Sequence, residues 1–275
     1  MPTLRPACVI IALLAGSSGR ATAAELPLIT WMQADTPPFH ISEGPLAGQG
    51  VKDRQYQFLA AHLPQFRHRL MIASVARNWY AVEHEDGICI IGVSNTAERR
   101  KFALFSQRPL VGFGTRIVVR REQAARFKEF LDPQGAVDLA RLAQSPSLVG
   151  GYGTALHYGD EVTRFIEDES RAARLDKFVT PPQLFNVLKA GRVDYIFGQP
   201  VEATYYAKEF GLQPGELATL RITGWRDGGG ISVGCSKGAA GSAVIKAVDA
   251  LLADEQMWRD YTAPYRDWSA DKDEK

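Results

Sequence analysis

An excess of charge of either sign is missing from this chain. Lys and Arg total 32 and Asp and Glu 31, for a formal net charge of +1, and so balanced a sequence carries no basic footprint for nucleic acid. Cysteine is scarce: there are 3, at Cys8, Cys89 and Cys235. The latter two stand far apart and lack the paired ligand cluster of a zinc site. Beyond the first two dozen residues no apolar run is long enough to cross a bilayer. The sequence also shows no nucleophile motif and no phosphate loop, which removes the usual grounds for reading an enzyme from sequence. Its end, DKDEK, is an ordinary mixed-charge tail.

What is present begins with a segment that does not belong to a folded core. Arg5 supplies a short positive region, Ala7 to Gly16 an apolar run, and Ala21-Thr22-Ala23-Ala24 small residues suited to signal peptidase. Residues 1–24 are therefore expected to be a signal peptide cleaved after Ala23 or Ala24, leaving a soluble periplasmic product. Cys8 precedes most of the apolar run, unlike a lipoprotein acceptor. Cys89 and Cys235 then remain in a compartment that oxidises thiols. Both lie in short apolar strand-like runs, ICIIGV and ISVGCSKG, and the residues alone leave a disulfide and two buried, separate thiols equally open.

A length of 275 residues with 45% apolar content suits one large domain or two lobes of about 100 residues each. Strands and helices alternate. Leu28 to Met32 reads as a strand that ends in Gln33-Ala34-Asp35-Thr36-Pro37-Pro38-Phe39, where two prolines force an extended turn. Asp53 is placed as the cap of a helix presenting Tyr56, Leu59, Ala60 and Leu63, and Leu70 to Ile72 as a second strand. Further on, Thr115 to Arg120 and Leu148 to Gly151 read as strands, with a helix after Thr154 that carries Val162, Phe165 and Ile166 inward. Thr180 caps a helix that starts at Pro181 and stops at Gly191. Ile231 to Cys235 is another strand, followed by helices marked by Ile245, Val248 and Leu252 and by Met257, Trp258 and Tyr261. Val111 to Gly114 and Asp227 to Gly230 read as two hinge segments.

The most informative stretch is CIIGVSNTAERRKFALFS, Cys89 to Ser106. A buried strand runs into Ser94, Asn95 and Thr96, and Arg99 follows at the start of a helical turn. A hydroxyl, free N–H groups and a guanidinium thus gather at the carboxyl end of a strand, where open α/β sheets bind ligands. Arg99 can grip a carboxylate with two parallel bonds. Arg100 and Lys101 are assigned to a solvated face.

The spacing Ser94-x-Thr96-x-x-Arg99, followed by Phe105-Ser106, resembles the ligand-carboxylate loop of the family 3 bacterial extracellular solute-binding proteins. Trp31, Pro37-Pro38-Phe39, Leu63-Pro64, Ala76-Arg77 and Cys89 narrow the likeness to a proteobacterial subgroup with no settled ligand. The resemblance covers nearly the whole chain after residue 24. It implies an α/β, two-lobed type II periplasmic binding protein, each lobe a mixed, mostly parallel sheet flanked by helices. Residues 25–113 and 229–275 form lobe 1, and 114–228 form lobe 2. It puts carboxylate contacts on Ser94, Arg99 and Thr154, and places the strand bearing Cys235 beside the strand bearing Cys89, so that the two are expected to be bonded.

Departures from the family matter for the ligand. Gln199 stands where amino-acid binders place an aspartate for the ligand's ammonium, and a neutral amide cannot neutralise such a charge. Gln33 replaces a first-lobe acid and Thr36 the usual stacking aromatic. Stacking then falls to Trp31, Phe39 or Tyr152, or the ligand is not a standard α-amino acid. Arg77 is a second anion candidate, with a surface ion pair as its bland alternative. The leading reading is a non-catalytic, monomeric receptor without cofactor or metal, closing on a small-molecule solute for an inner-membrane permease or chemoreceptor. The alternative is a dehydratase-like enzyme on the same fold, with Glu161, Glu202 or His157 as acid or base.

Overall fold

The computed structural model describes residues 25–109, 114–154, 156, 158–213, 215–224 and 231–268. The expected signal peptide, His157 and most of both expected hinges lie outside the described residues. The first part of the chain forms β1 (Leu28–Gln33), α1 (Val51–His62), β2 (Arg67–Ile72), α2 (Val75–His84), β3 (Ile88–Ser94) and β4 (Ala103–Phe105). It continues through β5 (Arg116–Arg120), α3 (Leu139–Ala143), β6 (Val149–Gly153), α4 (Asp160–Glu167), β7 (Arg174–Phe178), α5 (Pro181–Lys189), β8 (Tyr195–Gly198), α6 (Pro200–Glu209) and β9 (Leu217–Leu220). Last come β10 (Ile231–Ser236), α7 (Ala239–Leu252) and α8 (Glu255–Trp268).

Two five-stranded sheets result, ordered β2-β1-β3-β10-β4 and β7-β6-β8-β5-β9. In the first, only β10 opposes the other strands, pairing antiparallel with β3 and β4. In the second, only β5 does so, between β8 and β9. The sheets therefore share one plan, and in each the reversed strand is the first one after the chain crosses over. β1 is buried along LITWMQ after its first residue, because parallel neighbours flank it and helices cover its faces. Trp31 is wholly buried, its indole donating to His68 Nδ1 at 3.0 Å, so it belongs to the core and stacks on no ligand.

Local chemistry sets the helix starts. Ser74 Oγ caps α2 by accepting the Arg77 N–H at 3.3 Å. Thr180 precedes α5, which opens on Pro181, and Gly191 follows it at φ 71°. For α1 the expected cap is displaced. Gly50 is the N-cap, and the Asp53 carboxylate three residues on turns back to accept the Gly50 and Ile41 N–H groups, each at 3.0 Å. Asp53 also pairs with buried His40, tying α1 to the turn after β1. The helix expected after Thr154 begins later, at Asp160. β4 and β9 escape prediction because strands of 3 and 4 residues are too short to show alternation.

Apolar residues of both sheets join one cluster, which includes Trp31, Ile91, Val118, Tyr205 and Trp268. The sheets meet where α6 packs on α8, with the Tyr205 and Trp268 rings 5.9 Å apart and Lys208 Nζ 4.8 Å above Trp268. Cys89 and Cys235 face each other across β3 and β10 and are bonded. The link closes a separation of 146 residues, so its loss is expected to lower stability by roughly 2–5 kcal/mol. Urea unfolding of a Cys89→Ala/Cys235→Ala double variant checks this. Two free thiols in the denatured, unreduced protein lacking residues 1–24 would exclude the bond.

Candidate functional site

The carboxyl ends of β1 and β3, side by side in the first sheet, lie across the gap from that of β8 in the second. There they line a cleft of about 750 Å³, at the strand ends where open α/β sheets bind ligands. From the first sheet come Gln33, Thr36, Phe39, Asn78, Trp79, Ser94 and Arg99, with Lys52 from the first turn of α1. The opposite wall is Tyr158, Gln199, Glu202, Tyr205, Tyr206 and Phe210.

Arg99 is placed by its own loop. Thr96 Oγ1 accepts the Arg99 N–H at 3.3 Å and opens a 3₁₀ turn over Arg99–Lys101. The guanidinium carbon lies 4.2 Å from the centre of the Trp79 ring, and Nη1 donates to the Ser94 carbonyl at 3.0 Å. It is stacked on one face and bonded through one nitrogen, and its other guanidinium N–H groups have no described partner. Burial lowers its pKa. Arg100 instead bonds Asn95 and Lys101 pairs with Glu98, so of the three adjacent cations only Arg99 lines the cleft.

Lys52 is the second cation. Its pKa falls to about 8, first because burial disfavours the charged form and then because Arg99 repels it. Around these cations two buried amide oxygens, Gln33 Oε1 and Asn78 Oδ1, have no hydrogen-bond partner, while Gln33 Nε2 donates to the Lys52 carbonyl at 3.3 Å. Across the gap, Gln199 caps α6 and its backbone N–H donates to Glu202 Oε2 at 2.8 Å. Desolvation outweighs that bond and pushes the Glu202 carboxyl up to about 7.

Ser94, Arg99, Gln199, Thr36 and Phe39 are thus brought together. Arg77 is not, since it pairs with Glu85 at 3.2 Å and stacks on Tyr80. Thr154 does not line the cleft, and its N–H and hydroxyl both donate to the Phe178 carbonyl, at 2.9 and 3.3 Å. The N–H offered to an anion is consumed because β6 continues into this turn and α4 starts only at Asp160. Tyr152 sits in β6 opposite Lys177 and packs on the second sheet's core. Glu161 lies beside Arg164, 3.7 Å away, and outside the cleft lining. Missed from sequence were Lys52, Trp79, Asn78, Tyr205 and Tyr206. Trp79 carried a usable signal, an aromatic ahead of an arginine loop. Lys52 carried none, being one polar residue in a helix's first turn.

Two lobes of one topology, with a cleft at the strand ends between them, define the type II periplasmic binding protein fold, and the chain has that fold. No family model and no curated protein matches it by sequence. Among solved structures it is similar to an amino acid ABC transporter substrate-binding protein from Streptococcus pneumoniae bound to L-arginine, at TM-score 0.60 and 18% identity, covering 88% of this chain and 93% of that one. An ancestral cationic amino acid solute-binding protein gives TM-score 0.67 at 18% identity, covering 89% and 96%. An ancestral cyclohexadienyl dehydratase gives 0.50 at 22%, covering 88% and 92%.

Proposed function

We propose that the protein is a secreted solute-binding receptor whose lobes close on a small carboxylate-bearing solute and present the closed form to an inner-membrane permease or a sensory partner. The observation that carries the reading is Arg99, stacked on Trp79 at 4.2 Å with its outer N–H groups turned to the cleft. Ser94 completes the anion end of the site, Phe39 and Thr36 form the near wall, and Gln199 faces them. Residues 25–113 with 229–275 make one lobe and 114–228 the other, residues 1–24 direct export, and the receptor works as a monomer. Neighbours of the same fold that bind amino acids for ABC transporters support this assignment. A thermal-shift screen against amino acids, small carboxylates, polyamines and short peptides tests it, because selective binding to the native state raises the melting temperature. Carboxylates are expected among the hits, and a set of hits without an anionic group overturns the reading.

The neutral side chain of Gln199 leads to a further expectation. Histidine, lysine and arginine are expected to bind at least tenfold more weakly than the best carboxylate, since no fixed acid neutralises their ammonium at that position. Gln199→Asp should shift preference toward ammonium-bearing ligands. Tight binding of any of the three by the native protein, measured by calorimetry, refutes the assignment.

One observation favours a second reading. Glu202 lines the cleft with its carboxyl pushed up to about 7, a value at which it could give a proton to a leaving hydroxyl, and one neighbour of this fold is an ancestral cyclohexadienyl dehydratase. Incubating a cyclohexadienyl compound with protein at equal concentration, and with Glu202→Gln, decides between the two. Unchanged starting material rejects the dehydratase.

A further inference from the structure

Lys52 reaches the cleft by a built route. Its own N–H and that of Val51 donate to Phe39 and Pro38 carbonyls at 2.7 and 3.0 Å, which locks the first turn of α1 against the turn after β1. The side chain then crosses β3 at Gly92, where a Cβ would stand 3.1 Å from Lys52 Cε. A side chain there would press on the lysine stem, and the φ of +63° favours glycine as well. The ammonium ends 5.8 Å from the centre of the Phe39 ring. No described carboxylate lies within ion-pair distance of it, and its charged neighbour is Arg99, a like charge.

An ammonium drawn from water beside a guanidinium, with no counter-ion, is an unfavourable arrangement for the free protein. The arrangement is accounted for by negative charge that arrives with the ligand. We propose that Lys52 holds a second anionic group, so that the solute is a small organic dianion bridging Arg99 and Lys52. This rests on the carboxylate reading of Arg99. Lys52 crosses β3 at Gly92 and Arg99 is anchored at Ser94, two positions further along the same strand, and both line the one cleft. Cations that share one cleft and repel each other suit two anionic groups on one small molecule, as in a short dicarboxylate or a phosphonocarboxylate. Gln33 Oε1 and Asn78 Oδ1, buried and without partners, are available to a hydroxyl or N–H on the carbon chain between them.

Calorimetry with succinate, glutarate and adipate, their monoamides and the matching phosphonocarboxylates tests the inference on the native protein, Lys52→Gln and Lys52→Arg. At least one dianion is expected to bind on the order of thirtyfold or more tighter than its monoamide, the size expected when one partner of a charged pair is removed. Lys52→Gln should erase most of that ratio by weakening the dianion far more than its monoamide, and Lys52→Arg should keep most of it. Preference of the same lysine-dependent kind for the phosphonocarboxylate identifies phosphonate as the group at Lys52. Equal binding of dianion and monoamide, with Arg99→Ala still abolishing both, overturns the dianion and leaves the carboxylate reading standing. A ratio that survives in Lys52→Gln does the same. Failure of every anion to bind overturns both.

Discussion

Arg99→Ala is expected to weaken binding of the carboxylate ligand by about a hundredfold or more, since removing one member of a desolvated, hydrogen-bonded charge pair costs several kcal/mol. The effect should fall on affinity and leave the fold alone. The guanidinium makes one described hydrogen bond, to the Ser94 carbonyl, and otherwise lies on Trp79, so the variant leaves no buried acid unpaired. Arg99→Lys should recover only part of the loss, because an ammonium cannot make two parallel bonds to a carboxylate or stack as a flat plane. Calorimetry on the identified ligand, with urea midpoints for both variants, provides the check. Native affinity in Arg99→Ala would remove Arg99 from the site and with it the basis for the proposed function.

The fold was legible wherever burial imposed a period. β1, β3 and β10 are covered on both faces and read as continuous apolar runs, and the Thr180-Pro181 start and Gly191 stop of α5 are local signals with local causes. Asp53 was misplaced by three residues because its carboxylate is an equally good acceptor for an N-cap N–H from inside the helix as from its start. The helix assigned after Thr154 failed for a different reason. Thr154 is bonded back to Phe178 beyond the strand, and the start signal that was passed over is Gly159, the N-cap of α4 at φ 84°.

Of the cleft lining, Ser94, Arg99, Gln199, Thr36 and Phe39 were legible in the sequence. Arg99 and Ser94 share one loop, so their spacing survives in sequence. Lys52 acquires meaning only when β1 and β3 converge, since in sequence it is an unremarked charge in the first turn of its helix, and Glu202, named only as one of three acid-base candidates, is set apart from Glu161 only when α6 reaches the cleft. What sets them apart is their surroundings: an ammonium led over Gly92 toward Arg99, and a carboxyl drawn out of water beneath Gln199. Tertiary burial of that kind leaves no periodic trace.

Those two groups make affinity depend on pH, and a drop of at least tenfold between about pH 6.5 and 9 is expected for a ligand that stays fully ionised over that range. Glu202, raised from 4.5 to about 7, is neutral below that value and repels an anion above it. Lys52, lowered from 10.5 to about 8, attracts an anion below that value and loses its charge above it. Both changes oppose anion binding as pH rises, and bound anion raises both pKa values, so binding takes up protons. The other charged groups facing the cleft are Arg99, Asp35 and Glu209, while burial raises the hydroxyls of Tyr158, Tyr205 and Tyr206 and so keeps them neutral. Stability of the free protein moves differently. The folded state holds the Glu202 proton that the unfolded chain releases between 4.5 and about 7, so this group's contribution to stability falls as pH rises through that window. The folded state has lost the Lys52 proton that the unfolded chain keeps between about 8 and 10.5, so that contribution rises there. Above pH 8 the Lys52 contribution to stability therefore increases while affinity declines, which separates lost binding from unfolding. Calorimetric titrations across the range, repeated in Glu202→Gln and Lys52→Arg, should show the lower part of the profile flattened in the first variant and the upper part in the second. A flat profile in the native protein would show that neither group senses the ligand.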